Sequence, residues 1–177
     1  MTTSAHLPGT PRNRQEARLQ TNVGERISEV AAADRTEHAK FLRALGAGAR
    51  FFDRSSIKPP AGKPRFCTYN VGRAIQAGLP AGWAVAAGFW AENSGHTWLV
   101  DPAGLAVDPT ERGDGLEDEL DDRGVPTGRR VTTPRYGVGI PLEIARRFLR
   151  PVDADSQHEV GSAWDFPYFK AAAAAVR

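Results

Sequence analysis

The chain has one cysteine in 177 residues. It therefore cannot close an internal disulfide, and a small secreted scaffold stapled by bridges is excluded. It also lacks any apolar run near the ~20 residues that a membrane-crossing helix needs. Neither sign of charge dominates: 23 Lys and Arg stand against 21 Asp and Glu, a net +2, too mild and too scattered along the chain to form a nucleic-acid footprint. Met1 to Gln15 is polar and lacks the apolar stretch that a secretory signal requires. The expectation is a cytoplasmic protein that engages neither membrane nor nucleic acid.

What is present fits a soluble globular chain, with 41% apolar and 25% charged residues. One domain with extensions is expected, since domains cluster near ~100–150 residues. Residues 1–13 read as a flexible tail. Residues 14–50 read as an N-terminal helical hairpin. Its first helix carries Val23, Ile27, Val30 and Ala31 at helical spacing, and the second starts at an Asp34/Glu37 capping box, with Gly46 and Gly48 as stop signals. Residues 51–150 form the core domain, and 151–177 a C-terminal extension whose aromatics, Trp164, Phe166, Tyr168 and Phe169, precede a run of alanines and are expected to dock back on the domain.

Within the core, Ser55 to Pro64 is a loop rich in Pro and Gly that leads into a helix starting near Cys67. Val71, Ala74, Ile75 and Leu79 give that helix an apolar face, and Gly78 and Pro80 stop it. Short apolar runs then predict strands at Ala84–Ala91, His96–Val100 and Leu105–Asp108, an antiparallel meander. Glu111 to Asp122 is strongly acidic without periodicity, which predicts a solvated loop. One more strand is expected within Val131–Ile140, and a helix from Pro141, with Pro in its first turn, to Leu149.

Cys67 alone reads more readily as a small buried hydrophobe than as a nucleophile. Its place at a helix start favours the nucleophile, because unpaired N–H groups and the helix dipole stabilise a thiolate there. His96, Trp98 and Val100 share one face of their strand. Asp101-Pro102-Ala103-Gly104 predicts a three-residue hairpin loop in which Gly104 takes the left-handed conformation. That loop length sets Trp98 opposite Asp108 and puts Asp108 on the face of His96; a two-residue loop would turn it away. Asp101 alternates away from His96 and is expected to start the turn. Asn70 and Trp98 stand beside these three, as substrate contacts or as supports. A metal held by Cys67, His96 and Asp108 is not expected, because no fourth ligand has suitable spacing. Trp83, Phe89 and Trp90 read as core rather than cleft.

Pro64-Arg65-Phe66-Cys67-Thr68-Tyr69-Asn70, then Ala87-Gly88-Phe89, His96-Thr97-Trp98 and Val107-Asp108-Pro109-Thr110 resemble, in that order, the core of the papain-like fold and transglutaminase-like cysteine proteins, with a weaker continuation in Tyr136 to Ile140. The resemblance covers Pro64 to Ile140. It implies an α+β fold in which a helix bearing the cysteine packs on an antiparallel sheet carrying the histidine and aspartate. It further implies Cys67 as nucleophile, His96 as general base and Asp108 as orienting acid, without a cofactor. Papain peptidases usually place a glutamine upstream of the cysteine to complete the oxyanion hole, whereas Phe52 to Phe66 holds neither Gln nor Asn. The expected function is amide or ester processing through an acyl-enzyme, on a peptide, a protein or a small amide or ester. The alternative is a non-catalytic papain-like scaffold that binds a protein partner through its terminal extensions.

Overall fold

The computed structural model describes residues 7–32, 40, 43, 45–46, 48–59, 62, 66–90, 94–111, 115–121, 123–149 and 167–175. The elements are α1 (Arg14–Ala32), β1 (Arg50–Phe51), α2 (Cys67–Ala77), β2 (Ala84–Trp90), β3 (Ser94–Val100), β4 (Ala106–Val107), β5 (Leu116–Leu120), β6 (Pro126–Thr132), β7 (Arg135–Ile140), α3 (Leu142–Phe148) and α4 (Pro167–Ala175). Five strands pair antiparallel in the order β1-β7-β2-β3-β4, while β5 and β6 form a separate two-stranded ribbon. The architecture is α+β. No helix among the described residues is long and apolar enough to cross a membrane.

Strand alternation sorts the large sheet into two faces. Val85, Ala87 and Phe89 of β2, Leu99 of β3 and Tyr136, Val138 and Ile140 of β7 turn to one face, where they join side chains from α1, α2, α3 and α4 in a single core. Val71 and Ile75 bring α2 into that core while Arg73 and Gln76 stay exposed; burial of each aliphatic chain stabilises by roughly 1.5–3 kcal/mol. Leu19 and Val23 of α1 and Ala171 and Ala172 of α4 enter the same cluster. The opposite face holds a smaller cluster of Phe52, Ala86, Trp98, Val100 and Ala106.

The hairpin that sets the register has the expected form. Val100 pairs with Ala106 and Leu99 with Val107, Asp101 N–H donates to Leu105 O at 2.9 Å, and Gly104 has φ +82°. Asp101 starts the turn: its Oδ1 accepts the N–H groups of Ala103 and Leu105, and its Oδ2 accepts the Ser55 hydroxyl at 2.6 Å. The Ser55 hydrogen bond, followed by the backbone donors, holds its pKa below the usual carboxylate range against the opposing effect of desolvation.

Three expectations need correction. The acidic stretch is not a loop throughout, because Leu116–Leu120 is strand β5, paired with β6. Cross-strand charge replaces the missing apolar pattern there: Glu119 approaches Arg129 at 3.5 Å and Asp118 approaches Arg130 at 4.0 Å. The strand expected within Val131–Ile140 is β7, which the chain enters at Arg135 after leaving the ribbon at Thr132. Pro141 caps α3 from outside, with ψ 139°, instead of entering its first turn. Gly46 and Gly48 are helical, and Ala49 N–H still reaches Leu45 O at 2.9 Å, so neither glycine stops that helix before Ala49; Leu45, fully buried, anchors it. The Asp34/Glu37 capping box and the aromatics Trp164 and Phe166 lie outside the described residues.

Candidate active site

Phe66, the N-cap residue of α2, makes no side-chain cap hydrogen bond, and half-buried Cys67 is the first residue of the helix. Gly78, at φ +91°, closes the other end with its N–H on Ile75 O. The helix lies against β3 and Cys67 touches the main core. His96 alternates to the opposite face of β3, so the two side chains meet at the strand's edge.

The ladder explains how that edge becomes available. Asp101 N–H points at β4, so the N–H groups of Leu99 and Thr97 point the same way. β4 pairs only as far as Val107. Beyond it the Pro109 carbonyl accepts Gly62 N–H at 2.8 Å, and Thr97 N–H donates to the Cys67 sulfur instead. Cys67 is also hydrogen-bonded to the His96 ring and to Thr68.

Asp108 stands level with Trp98 by continuation of the β3–β4 register, and its Oδ2 lies 2.6 Å from His96 Nε2. Nε2 is thereby committed to the carboxylate, which leaves Nδ1 for the thiol. The three residues singled out from the sequence are brought together. His96 and Asp108 are buried, at 4% and 5% exposure, so their charges interact with little screening by water.

Burial alone would raise the Cys67 pKa, but the hydrogen bond and charge of His96, with the Thr97 N–H, outweigh it and lower the thiol. Burial would lower His96, yet the charge and hydrogen bond of Asp108, then those of Cys67, lift it to about 9. For Asp108, burial opposes ionisation, and the charge and hydrogen bond of His96 with the charge of Arg135 bring it down to about 2. The directions of the three shifts favour the ionised thiol, the protonated ring and the ionised carboxylate.

Asn70 and Trp98 act as supports. Asn70 Nδ2 donates to Thr110 Oγ1 at 3.0 Å, and Thr110 N–H donates to Asp108 Oδ1 at 2.9 Å, so α2 is fastened to the turn that carries the acid. Trp98 is fully buried, which removes it from substrate contact. Its ring lies 6.0 Å from that of His96 and packs edge-on against Phe52. Trp90, expected as core, instead stacks on His96 at 4.9 Å between centroids. Phe89 is core, and Trp83 packs partly buried against it. The floor beneath these rings is glycine: Gly88 pairs with both His96 and Gly137, and a Cβ at Gly137 would come 2.9 Å from Trp98 Cη2.

Two charged residues were not anticipated. Arg135, 1% exposed, donates from Nη2 and Nε to Asp108 Oδ2 at 3.2 and 3.4 Å and from Nη2 to Glu111 Oε1 at 2.6 Å. Glu111 also accepts from Arg54 Nε at 2.9 Å. A cleft of about 380 Å³ beside them is lined by Arg54, Lys58, Asp108 and Glu111. A larger one, about 740 Å³, lies between α1 and the β5–β6 ribbon and touches none of the three site residues. The lone arginine opening Arg135-Tyr136-Gly137-Val138-Gly139-Ile140 was the available signal, but only the β2–β7 register brings it to Asp108. No group of three His, Cys, Asp or Glu side chains among the described residues is disposed to hold a metal ion. In comparisons with protein-family models, curated proteins and solved structures, nothing matches the chain.

Proposed function

We propose that the chain is a papain-like, cysteine-dependent enzyme that processes amides or esters through a thioester acyl-enzyme. The carrying observation is that one imidazole, His96, is hydrogen-bonded to the Cys67 thiol and, on its other nitrogen, to Asp108. In such an arrangement the thiolate attacks a carbonyl carbon, the C=O π pair moves to oxygen, and the main-chain N–H of Cys67 donates to that oxyanion. The imidazolium then passes its Nδ1 proton to the departing amine or alkoxide as the carbonyl re-forms and the C–N or C–O bond breaks. His96, now neutral, takes a proton from water or an acceptor amine that attacks the thioester, and the thiolate leaves. Asp108 fixes the ring's tautomer and balances the imidazolium at each stage. Water as acceptor gives hydrolysis or deamidation, and an amine gives transfer.

The test is acylation by an activated ester. With p-nitrophenyl acetate, the wild type is expected to release a burst of nitrophenolate and to carry one acetyl group on Cys67 by mass spectrometry, while His96→Ala and Cys67→Ser carry none. A wild-type protein that stays unacetylated would sink the proposal.

A further inference from the structure

Resting on that reading, we infer that Arg135 is a positioning residue of the thiol site that acts through Asp108, with Glu111 as the opposing charge that sets how strongly it does so. Asp108 has four donors. Thr110 N–H takes Oδ1, and His96 Nε2, Arg135 Nη2 and Arg135 Nε share Oδ2. The carboxylate is thus locked in one rotamer with the oxygen that faces His96 divided between imidazole and guanidinium. Arg135 reaches it from β7 over the side-chain-free positions Gly88 and Gly137, beside Trp90. Its side chain is wholly buried, so its charge is felt with little dilution by water.

Among the described residues, the charged and titratable groups around the site are Cys67 from α2, His96 from β3, Asp108 and Glu111 from the connector after β4, Arg135 from β7, and Arg54 and Lys58 from the segment after β1. Asp108 and Glu111 both meet Arg135, and Glu111 is held in turn by Arg54. Gly115, at φ +66°, closes the connector so tightly that a Cβ there would lie 2.5 Å from Glu111 Oε1 and 2.6 Å from Arg54 Nε. Glu111 is therefore fixed against Arg135. Removing a nearby positive charge raises the pKa of every neighbouring group, and removing a negative charge lowers it. Arg135 and Glu111 should consequently move the thiolate and the imidazolium in opposite directions without either touching the reacting atoms.

The experiment is the pH profile of Cys67 alkylation by iodoacetate, whose carboxylate is drawn to the imidazolium. The rate rises as the thiolate forms and falls as His96 loses its proton, giving two limbs. Arg135→Met is expected to shift both limbs up by about half a unit to one unit, Arg135→Lys to return them toward the wild-type positions, and Glu111→Gln to shift both down by about half a unit. Should Arg135→Met fail to fold, Glu111→Gln still decides. Limbs in Arg135→Met or in Glu111→Gln that coincide with the wild type would overturn the inference and leave Arg135 a structural ion pair. A wild-type profile with one limb near ~8.5 would overturn the activated-thiol reading itself, which is a distinguishable failure.

Discussion

Thr97 and His96 are adjacent in the chain yet approach Cys67 differently, Thr97 with its main-chain N–H and His96 with its ring from the opposite face of β3. The contact depends on β4 stopping at Val107, which frees the edge of β3 for the sulfur. Anything that moves the β3–β4 register therefore moves the site.

Gly104 is the first such point. At φ +82°, Gly104→Ala is expected to cost about 1–2 kcal/mol in urea denaturation while leaving the alkylation profile of Cys67 in place, because the loop keeps its length. Deleting Ala103 shortens the loop and turns Asp108 to the other face. That variant should lose the low-pH thiolate entirely, and retention of it would refute the register argument.

The glycine floor is the second. A Cβ at Gly137 meets Trp98 Cη2 at 2.9 Å, so Gly137→Ala forces the indole or the strand to shift. The expected loss is about 1–3 kcal/mol, read as a fall in the urea midpoint at unchanged slope. Trp98→Ala, which empties the smaller cluster, should cost more, about 3–5 kcal/mol.

These features differ in how far the sequence exposed them. The three-residue loop was legible because Asp101, Pro102 and Gly104 each satisfy a local backbone requirement, and alternation then carried Asp108 to the face of His96. The α2 face was legible for the same reason, from the spacing of Val71 and Ile75. The β5–β6 ribbon was hidden because its strands are held by Glu119–Arg129 and Asp118–Arg130 pairs rather than by alternating apolar residues. Arg135 was hidden because it meets Asp108 across the sheet, 27 positions away, and no local pattern encodes the order in which strands pair.

The pKa shifts predict a stability profile. His96 rises from its ordinary 6.5 to about 9, so its contribution is complete below about 6.5 and is lost as pH rises through 9. Asp108 falls from 3.8 to about 2, so its contribution is complete above about 3.8 and is lost as pH falls through 2. Cys67→Ala removes the thiol's opposing alkaline contribution. In that background the urea midpoint should decline between pH 7 and 10 (roughly the span of the His96 shift), and His96→Ala should abolish the decline. Equal alkaline slopes in the two proteins would contradict a His96 held protonated by Asp108.

The proposed chemistry requires a thiol made acidic by its neighbours, and the rate of alkylation by iodoacetamide against pH measures that acidity directly, since Cys67 is the chain's sole thiol. The wild type is predicted to react with a midpoint well below the free-thiol value of ~8.5, and His96→Ala with a midpoint at or above it. Coincident curves near ~8.5 for both proteins would contradict the account.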